Sequence, residues 1–311
     1  MATPLILDCD PGHDDALAIL LAVADPAVEL LAVTTVAGNQ TVDKCTVNAR
    51  RVLSLAGASD IPVARGADRP LVRRLRIADD VHGSTGLDGP HFTDEPSVPE
   101  SPYSAHELLV DVLRSKPATI VATGALTNVA RLLVEEPGLA ANITEIVWMG
   151  GSTERGNIAP LAEANAYVDP EAADVVVRSG VPFTMCGLNV THQALVTDDV
   201  LARLERIGTP LARVCSEWMT FFASTYRELF GFEAPPLHDP VAVARVVDPA
   251  IVRCVEANLV IETAGEWTAG ATVVDLDGYT GRPANARIAV DLDRDAFWDK
   301  VIAAIAELSV C

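Results

Sequence analysis

The stretch Pro4-Leu5-Ile6-Leu7-Asp8-Cys9-Asp10-Pro11-Gly12-His13-Asp14-Asp15, followed by the apolar segment 16–24, decides how this chain is read. An apolar run, a Pro-Gly turn and a second apolar run predict a buried strand, a tight turn and a helix. Asp14 and Asp15 fall in the first turn of that helix. In an open α/β sheet, ligands bind beyond the carboxyl ends of the strands, which is where this turn would lie. Asp8, Asp10, Asp14 and Asp15 crowd into eight residues and repel one another, so a bound cation is the natural compensation. Oxygen-only ligands favour Ca²⁺ or Mg²⁺ over zinc. Acids in a first helical turn also complement the helix dipole, but that accounts for Asp14 and Asp15 and leaves Asp10 unexplained.

Outward from this stretch, strand-like and helix-like segments alternate. Residues 28–36 read as a strand ending in Ala37-Gly38-Asn39, and 41–57 as the helix after it, with Gly57 at its cap. Segment 105–116 is amphipathic, 118–122 is a short strand, a helix runs to Glu136, and 143–149 is a strand ending in Gly150-Gly151. Asp169-Pro170 opens another helix as N-cap and N1, and 182–186 is a further strand. The last third predicts helices over 211–230, 240–247 and 293–308, with strands over 251–263, 271–275 and 286–291. Such alternation predicts a doubly wound, mostly parallel open α/β sheet with helices on both faces. The polar segment 65–104 reads as a long loop of a single domain, of the kind that forms a lid or binding loop.

With 311 residues and 50% hydrophobic content, the chain can bury a large core. A net charge of −20 argues against nucleic acid and anionic membranes as partners, and favours neutral or cationic small substrates. The basic run Arg69, Arg73, Arg74 and Arg76 is the local exception and reads as solvated surface. Cys9, Cys45, Cys186, Cys215, Cys254 and Cys311 show no CxxC pair or zinc spacing, as expected of reduced thiols in the cytoplasm. The beginning of the sequence lacks a basic, then apolar, leader, and no run approaches the roughly 20 apolar residues of a membrane span.

Several predicted strands end on residues suited to a ligand site, namely Asp10, Asn39, Thr123 and Met149-Gly150-Gly151. Glu163 and Asn165 stand two apart, so in an extended segment they would share one face, and a carboxylate beside an amide suits sugar hydroxyls. His238-Asp239-Pro240 reads either as an Asp cap with Pro at N1 or as a proton donor beside a further metal carboxylate.

The residues at this point resemble the nucleoside hydrolases of the inosine-uridine preferring class. The resemblance runs through DCDPGHDDALAI at 8–19, VTTVAGN at 33–39, HGSTGLDG at 82–89, TGALTN at 123–128 and WMGG at 148–151. It continues through EANAYVDPEAA at 163–173, GLNVTH at 187–192, HDP at 238–240 and DAFWDK at 295–300. It implies a calcium-dependent N-ribosyl hydrolase, a homodimer or homotetramer, in which Asp10, Asp15, the Thr123 carbonyl and Asp239 hold the ion. Asp10 would also take a proton from a calcium-bound water, and His238 would protonate a purine leaving group. Asp14 and Asn165 would bind the ribose 2′- and 3′-hydroxyls with help from Asp239, while Asn157 and Glu163 take the 5′-hydroxyl. Asn39 and Met149 would line the sugar pocket, and His82 would lie near the base. The expectation leans to purine nucleosides such as inosine, with pyrimidine nucleosides such as uridine also within reach. Trp267-Thr268-Ala269-Gly270 departs from the family's Leu-Thr-Arg-Gly pattern, and Trp267 and Tyr226 are each either base contacts or core.

Two other functions compete. Asp8-Cys9-Asp10 after an apolar strand also fits a haloacid-dehalogenase-type phosphatase, with Asp8 as nucleophile and Mg²⁺ as metal. The same fold could also serve as a non-catalytic, calcium-dependent nucleoside-binding protein.

Overall fold

The computed structural model describes residues 1–309. Among these described residues, nine strands form one sheet: β1 (Thr3–Cys9), β2 (Val28–Thr35), β3 (Val63–Arg65), β4 (Ala118–Ala122), β5 (Ile143–Met149), β6 (Phe183–Cys186), β7 (Val252–Ile261), β8 (Thr272–Asp275) and β9 (Ala286–Leu292). Their order is β3-β2-β1-β4-β5-β6-β9-β7-β8. All pairs from β3 to β9 are parallel, and β7 closes the far side antiparallel to both β9 and β8. The expected doubly wound, mostly parallel sheet is therefore present, with an antiparallel edge that the strand patterns alone did not specify.

The alternation of β1 shows how the sequence builds two layers. Leu5, Leu7 and Cys9 join one apolar cluster with the helices His13–Ala24, Val42–Leu55, Pro210–Phe230 and Asp239–Val247. Ile6 points the other way, into a second cluster with Ala105–Ser115, Thr127–Glu135 and Pro170–Val177. Because both faces are covered, β1 carries no solvent-facing polar alternation. Leu5, Ile6 and Leu7 are fully buried, each contributing about 1.5–3 kcal/mol.

The chain runs outward through β1, β2 and β3, then returns to place β4 on the opposite side of β1. The crevice beyond the β1/β4 pair is thus the switch point of the sheet, where the two flanking connections diverge and leave a cleft. Asp8 pairs with Ala122 there, and Thr123 N–H donates to the Asp8 carbonyl (2.8 Å). Asp10 and Thr123 are the residues that this register delivers to the cleft.

Segment 65–104 contains the short helix Asp79–His82 and is pinned down by buried polar groups. Asn48 donates to Pro11 and Thr85 carbonyls (3.0 and 2.9 Å), and the His13 ring nitrogen Nε2 bonds the Asp88 carbonyl (2.7 Å). The sequence reading also passed over the helix Asp198–Ile207, although Thr197 caps its start and Gly208 ends it in the left-handed conformation. Cys9, Cys45, Cys186 and Cys215 are buried free thiols and Cys254 is a half-buried one; Cys311 lies outside the described residues. Among the described residues, no helix is long and apolar enough to cross a membrane.

Candidate active site

A cavity of about 240 Å³ opens at the switch point. It is lined by eleven of the residues singled out from sequence: Asp14, Asn39, His82, Thr123, Met149, Asn157, Glu163, Asn165, Tyr226, His238 and Asp239. Asp10 and Asp15 lie beneath them, almost wholly buried. The thirteen residues come from eight separate stretches of chain, which the parallel sheet gathers because its strands end on the same side.

The floor is acidic. Asp14, Asp15 and Asp239 each offer a carboxylate oxygen within 4.8 Å of the others. Asp15 is held by the Gly12 N–H (3.0 Å), the Asn39 amide (3.1 Å) and the Thr123 hydroxyl (2.7 Å). Asp10 Oδ2 accepts from Asn39 N–H (2.7 Å), whereas Asp10 Oδ1 and Asp14 Oδ1 are buried with no partner among the described residues. Burial, then the Asp15 charge, pushes the Asp14 carboxyl up to about 7 and raises Asp10 well above the usual range. Burial, then Asp14 and Asp15, raises Asp239 in the same way, and burial raises Asp15. Four carboxyls with raised affinity for protons, and two orphaned oxygens among them, form a site that a divalent cation fits: oxygen-only, negatively charged and short of positive charge.

The sugar side is built by a local structure that differs from expectation. Glu163 and Asn165 do not lie in an extended segment; Glu163 is the N-cap of the helix Ala164–Val168. Its carboxylate accepts from Gly151, Asn165 and Ala166 N–H groups (2.8, 2.9 and 3.1 Å), because a helix start leaves amides unpaired. Both side chains still line the cavity, since the single helical turn brings Asn165 back over the floor. Asn165 Nδ2 donates to the Thr123 and Met149 carbonyls (2.8 and 3.0 Å), which leaves its Oδ1 free to accept. Asn157 Oδ1 accepts from Ala164 N–H (2.9 Å), leaving its amide hydrogens to donate. Burial pushes Glu163 up to about 7.

His238, Tyr226 and His82 also line the cavity. His238, not Asp239, is the cap position of the helix Asp239–Val247, and it makes no side-chain cap bond. Asp239 instead starts the helix and directs its carboxylate to Asp14 and Asp15. Both His238 ring nitrogens are engaged, Nε2 with the Tyr226 hydroxyl and Nδ1 with the Thr191 hydroxyl, each at 2.8 Å. Burial, then His192, lowers His238 to about 3, so the ring is neutral at pH 7. Burial, then Asp14, keeps the Tyr226 phenol well above its ordinary value. His82 stacks with His13 and Phe222 (centroids 5.4 and 5.5 Å apart) and is likewise neutral, chiefly through burial.

Several residues with clear roles were missed. Gly38 and Gly124 flank the Asp10 carboxylate so closely that a Cβ on either would lie less than 3 Å from one of its oxygens. Asn128 ties Asp8 (2.7 Å), the Thr35 carbonyl (2.9 Å) and Ala67 N–H (2.9 Å) together beneath the site. All three stand in motifs quoted above, VTTVAGN and TGALTN, but spacing alone gives no reason for them. Arg76 lines the cavity, and Arg73 makes a bidentate pair with Glu171 (3.0 and 2.9 Å), so the basic run is not simply solvated.

The phosphatase alternative fails on geometry. Asp8 is fully buried, does not line the cavity, and spends Oδ1 on Thr34 (2.6 Å) and Asn128, so no phosphoryl group can reach it. Trp267 fits neither of its expected roles: it is 80% exposed and lies outside the cavity lining.

A cleft of this kind, at the switch point of a doubly wound sheet and floored by carboxylates, defines a sugar-handling hydrolase site. The profile of the inosine-uridine preferring nucleoside hydrolases matches residues 5–299, and the chain belongs to that family. It is an N-ribosyl hydrolase. It is 50% identical over 301 residues to a pyrimidine-specific ribonucleoside hydrolase RihA of Shewanella woodyi, covering 96% of each chain. It is 48% identical to the protein of that name from an Enterobacter species, with both chains fully covered. Among solved structures, a purine-preferring ribonucleoside hydrolase from Gardnerella vaginalis superposes with a TM-score of 0.92 at 31% identity, over 99% of each chain. A plant nucleoside hydrolase superposes at 0.91 with 33% identity, over 98% of this chain and 99% of its own. Relatives named for opposite base preferences share this fold, so the fold does not set the preference.

Proposed function

We propose that this enzyme cleaves pyrimidine ribonucleosides, uridine and cytidine, ahead of purine ribonucleosides, with Ca²⁺ as its ion. The expectation from sequence leaned to purines on the strength of His238. Relatives with about half their residues identical carry pyrimidine-specific names, and that is the stronger guide to the base. The observation that carries the chemistry is the acidic floor with its two orphaned oxygens, set opposite the His238–Tyr226 pair.

Asp10, Asp15, the Thr123 carbonyl and Asp239 would hold the ion, which when bound neutralises the carboxylates, polarises a water and orients the ribose diol. Asp10 Oδ1, unpartnered and buried, accepts the proton of the attacking water. Asp14 and the free Asn165 Oδ1 accept from the 2′- and 3′-hydroxyls, aided by Asp239, while Asn157 donates to the 5′-hydroxyl and Glu163 accepts from it. Asn39 and Met149 pack the sugar between these groups. Cleavage builds oxocarbenium character at C1′, and a carboxylate-lined, water-poor pocket stabilises that charge. The His238–Tyr226 pair supplies the leaving base with a proton. Because its Nε2 already bonds Tyr226, the two side chains act as one donor, with the phenol facing the cavity. His82 stands on the same wall, beside the base. The whole chain acts as one domain, with segment 65–104 closing over the site, as a cytoplasmic homodimer or homotetramer.

The test is reducing-sugar release from uridine, cytidine, inosine, adenosine and guanosine in calcium-containing, phosphate-free buffer. Ribose from uridine and cytidine at rates at least tenfold above the purines is expected. Equal or faster purine cleavage would reverse the base assignment. No ribose from any of the five, with nucleoside binding retained, would identify a non-catalytic binding protein.

A further inference from the structure

The segment GLNVTH at 187–192 takes no part in the chemistry above, yet it ends against His238. Thr191 closes the short helix Leu188–Thr191 and is fully buried. Its hydroxyl oxygen lies 2.8 Å from His238 Nδ1, its sole hydrogen-bond partner among the described residues. A hydroxyl carries one hydrogen, and in a buried setting that hydrogen goes to an acceptor. Helical threonines commonly return it to the carbonyl four residues back. Here that carbonyl, of Gly187, receives the Val190 and Thr191 N–H groups instead. Nδ1 of His238 is the acceptor that remains.

We propose that Thr191 is a positioning residue: by donating to Nδ1 it holds His238 in the tautomer protonated at Nε2, which turns the Tyr226 hydrogen toward the leaving base. With Nε2 protonated, the ring donates to the Tyr226 oxygen 2.8 Å away, so the phenolic hydrogen is not spent on the ring. The opposite tautomer would strand the Thr191 hydrogen without an acceptor and aim the Tyr226 hydrogen at His238. The inference rests on the hydrolytic reading, in which this pair protonates the base. The C1′–N bond breaks with its electron pair on the base, and the base takes the Tyr226 proton. Water adds its oxygen to C1′ and gives a proton to Asp10. That proton returns through solvent to the tyrosinate, which the His238 N–H stabilises meanwhile. The sum is nucleoside plus water giving ribose plus free base.

The experiment pairs ¹⁵N NMR of the histidine rings with kinetics on T191V and T191S. In the wild-type protein and T191S, His238 should show a protonated Nε2 and a bare Nδ1; in T191V the two nitrogens should average. For T191V, kcat/KM on uridine should fall about 10–100-fold. Its loss on a riboside with a p-nitrophenolate leaving group, which needs no proton, should stay within about threefold. T191S should restore uridine cleavage. A wild-type ring protonated at Nδ1, equal losses on both substrates, or undiminished uridine cleavage in T191V would each overturn the proposal. The wild-type spectrum and T191S decide the matter even if T191V does not fold. If the wild-type protein releases no ribose from any nucleoside, the hydrolytic reading fails, while the tautomer measurement still reports on Thr191.

Discussion

Replacing Gly38 with alanine should disable the enzyme without replacing any polar side chain. Gly38 does not sit at positive φ, so alanine can adopt its backbone conformation. The added Cβ would lie well under 3.0 Å from Asp10 Oδ2 and 3.1 Å from Asp10 Cγ. A normal carbon–oxygen contact is about 3.4 Å, so the carboxylate must move by about 1 Å or more. It cannot retreat simply, because Gly124 backs its other oxygen. The move also breaks the 2.7 Å bond from Asn39 N–H, a charge-assisted bond worth about 1.5–3 kcal/mol. A reacting group misplaced by 1 Å costs about 100-fold, or about 2.7 kcal/mol of barrier. Steady-state kinetics on uridine at saturating Ca²⁺ should therefore show kcat for G38A lowered about 100-fold, and calorimetric titration should show weaker Ca²⁺ binding. Gly138→Ala is the control, since nothing lies within 4 Å of its Cβ position. A folded G38A enzyme with kcat within about threefold of wild type would refute the placement of Asp10 as the base.

Three further outcomes are expected. Asn128→Ala removes the partner of Ala67 N–H and the Thr35 carbonyl and leaves Asp8 with Thr34 alone, and should cost about 3–5 kcal/mol in urea unfolding; a loss under about 1 kcal/mol would show that the network carries little. His238→Ala should slow uridine and inosine cleavage far more than cleavage of an activated riboside, and equal slowing would remove His238 from leaving-group protonation. Chelation should destabilise the protein more at pH 8 than at pH 5. In the cation-free protein, burial raises Asp14 to about 7 and shifts Asp10, Asp15 and Asp239 in the same direction. Groups with raised folded-state values give their full stability below about pH 4 and lose it as the pH climbs through about 7. A cation holds the floor carboxylates ionised and removes that loss, so its gain in Tm should grow across the same range. An equal Ca²⁺-induced Tm gain at both pH values would contradict the raised carboxyls.

Much of the fold was legible because apolar periodicity and turn residues are local signals. The ends of β4 and β5 and the cap of the helix Pro170–Val177 follow directly from residue types next to one another. The three-residue β3 and the helix Leu188–Thr191 are too short to show a period, and they form because neighbours hold them. Glu163 misled for a related reason: two-residue spacing suggests an extended face, yet the unpaired amides of a helix start captured its carboxylate.

The sequence by itself determined the class of fold, the cluster of aspartates around the first turn, and the residue types needed to grip a ribose and a cation. These are matters of composition and short-range order, which the chain carries without folding. Only the tertiary structure decided which acids share a floor, that Asp8 is held by Thr34 and Asn128 while Asp10 lies just beneath the cavity with Asn39 on one oxygen, and that His238 reaches outward through Tyr226 with Thr191 behind it. Those outcomes depend on contacts between residues tens to more than a hundred positions apart, set by the strand order and by burial. The same burial lifts the Asp14 carboxyl and strips His82 and His238 of charge.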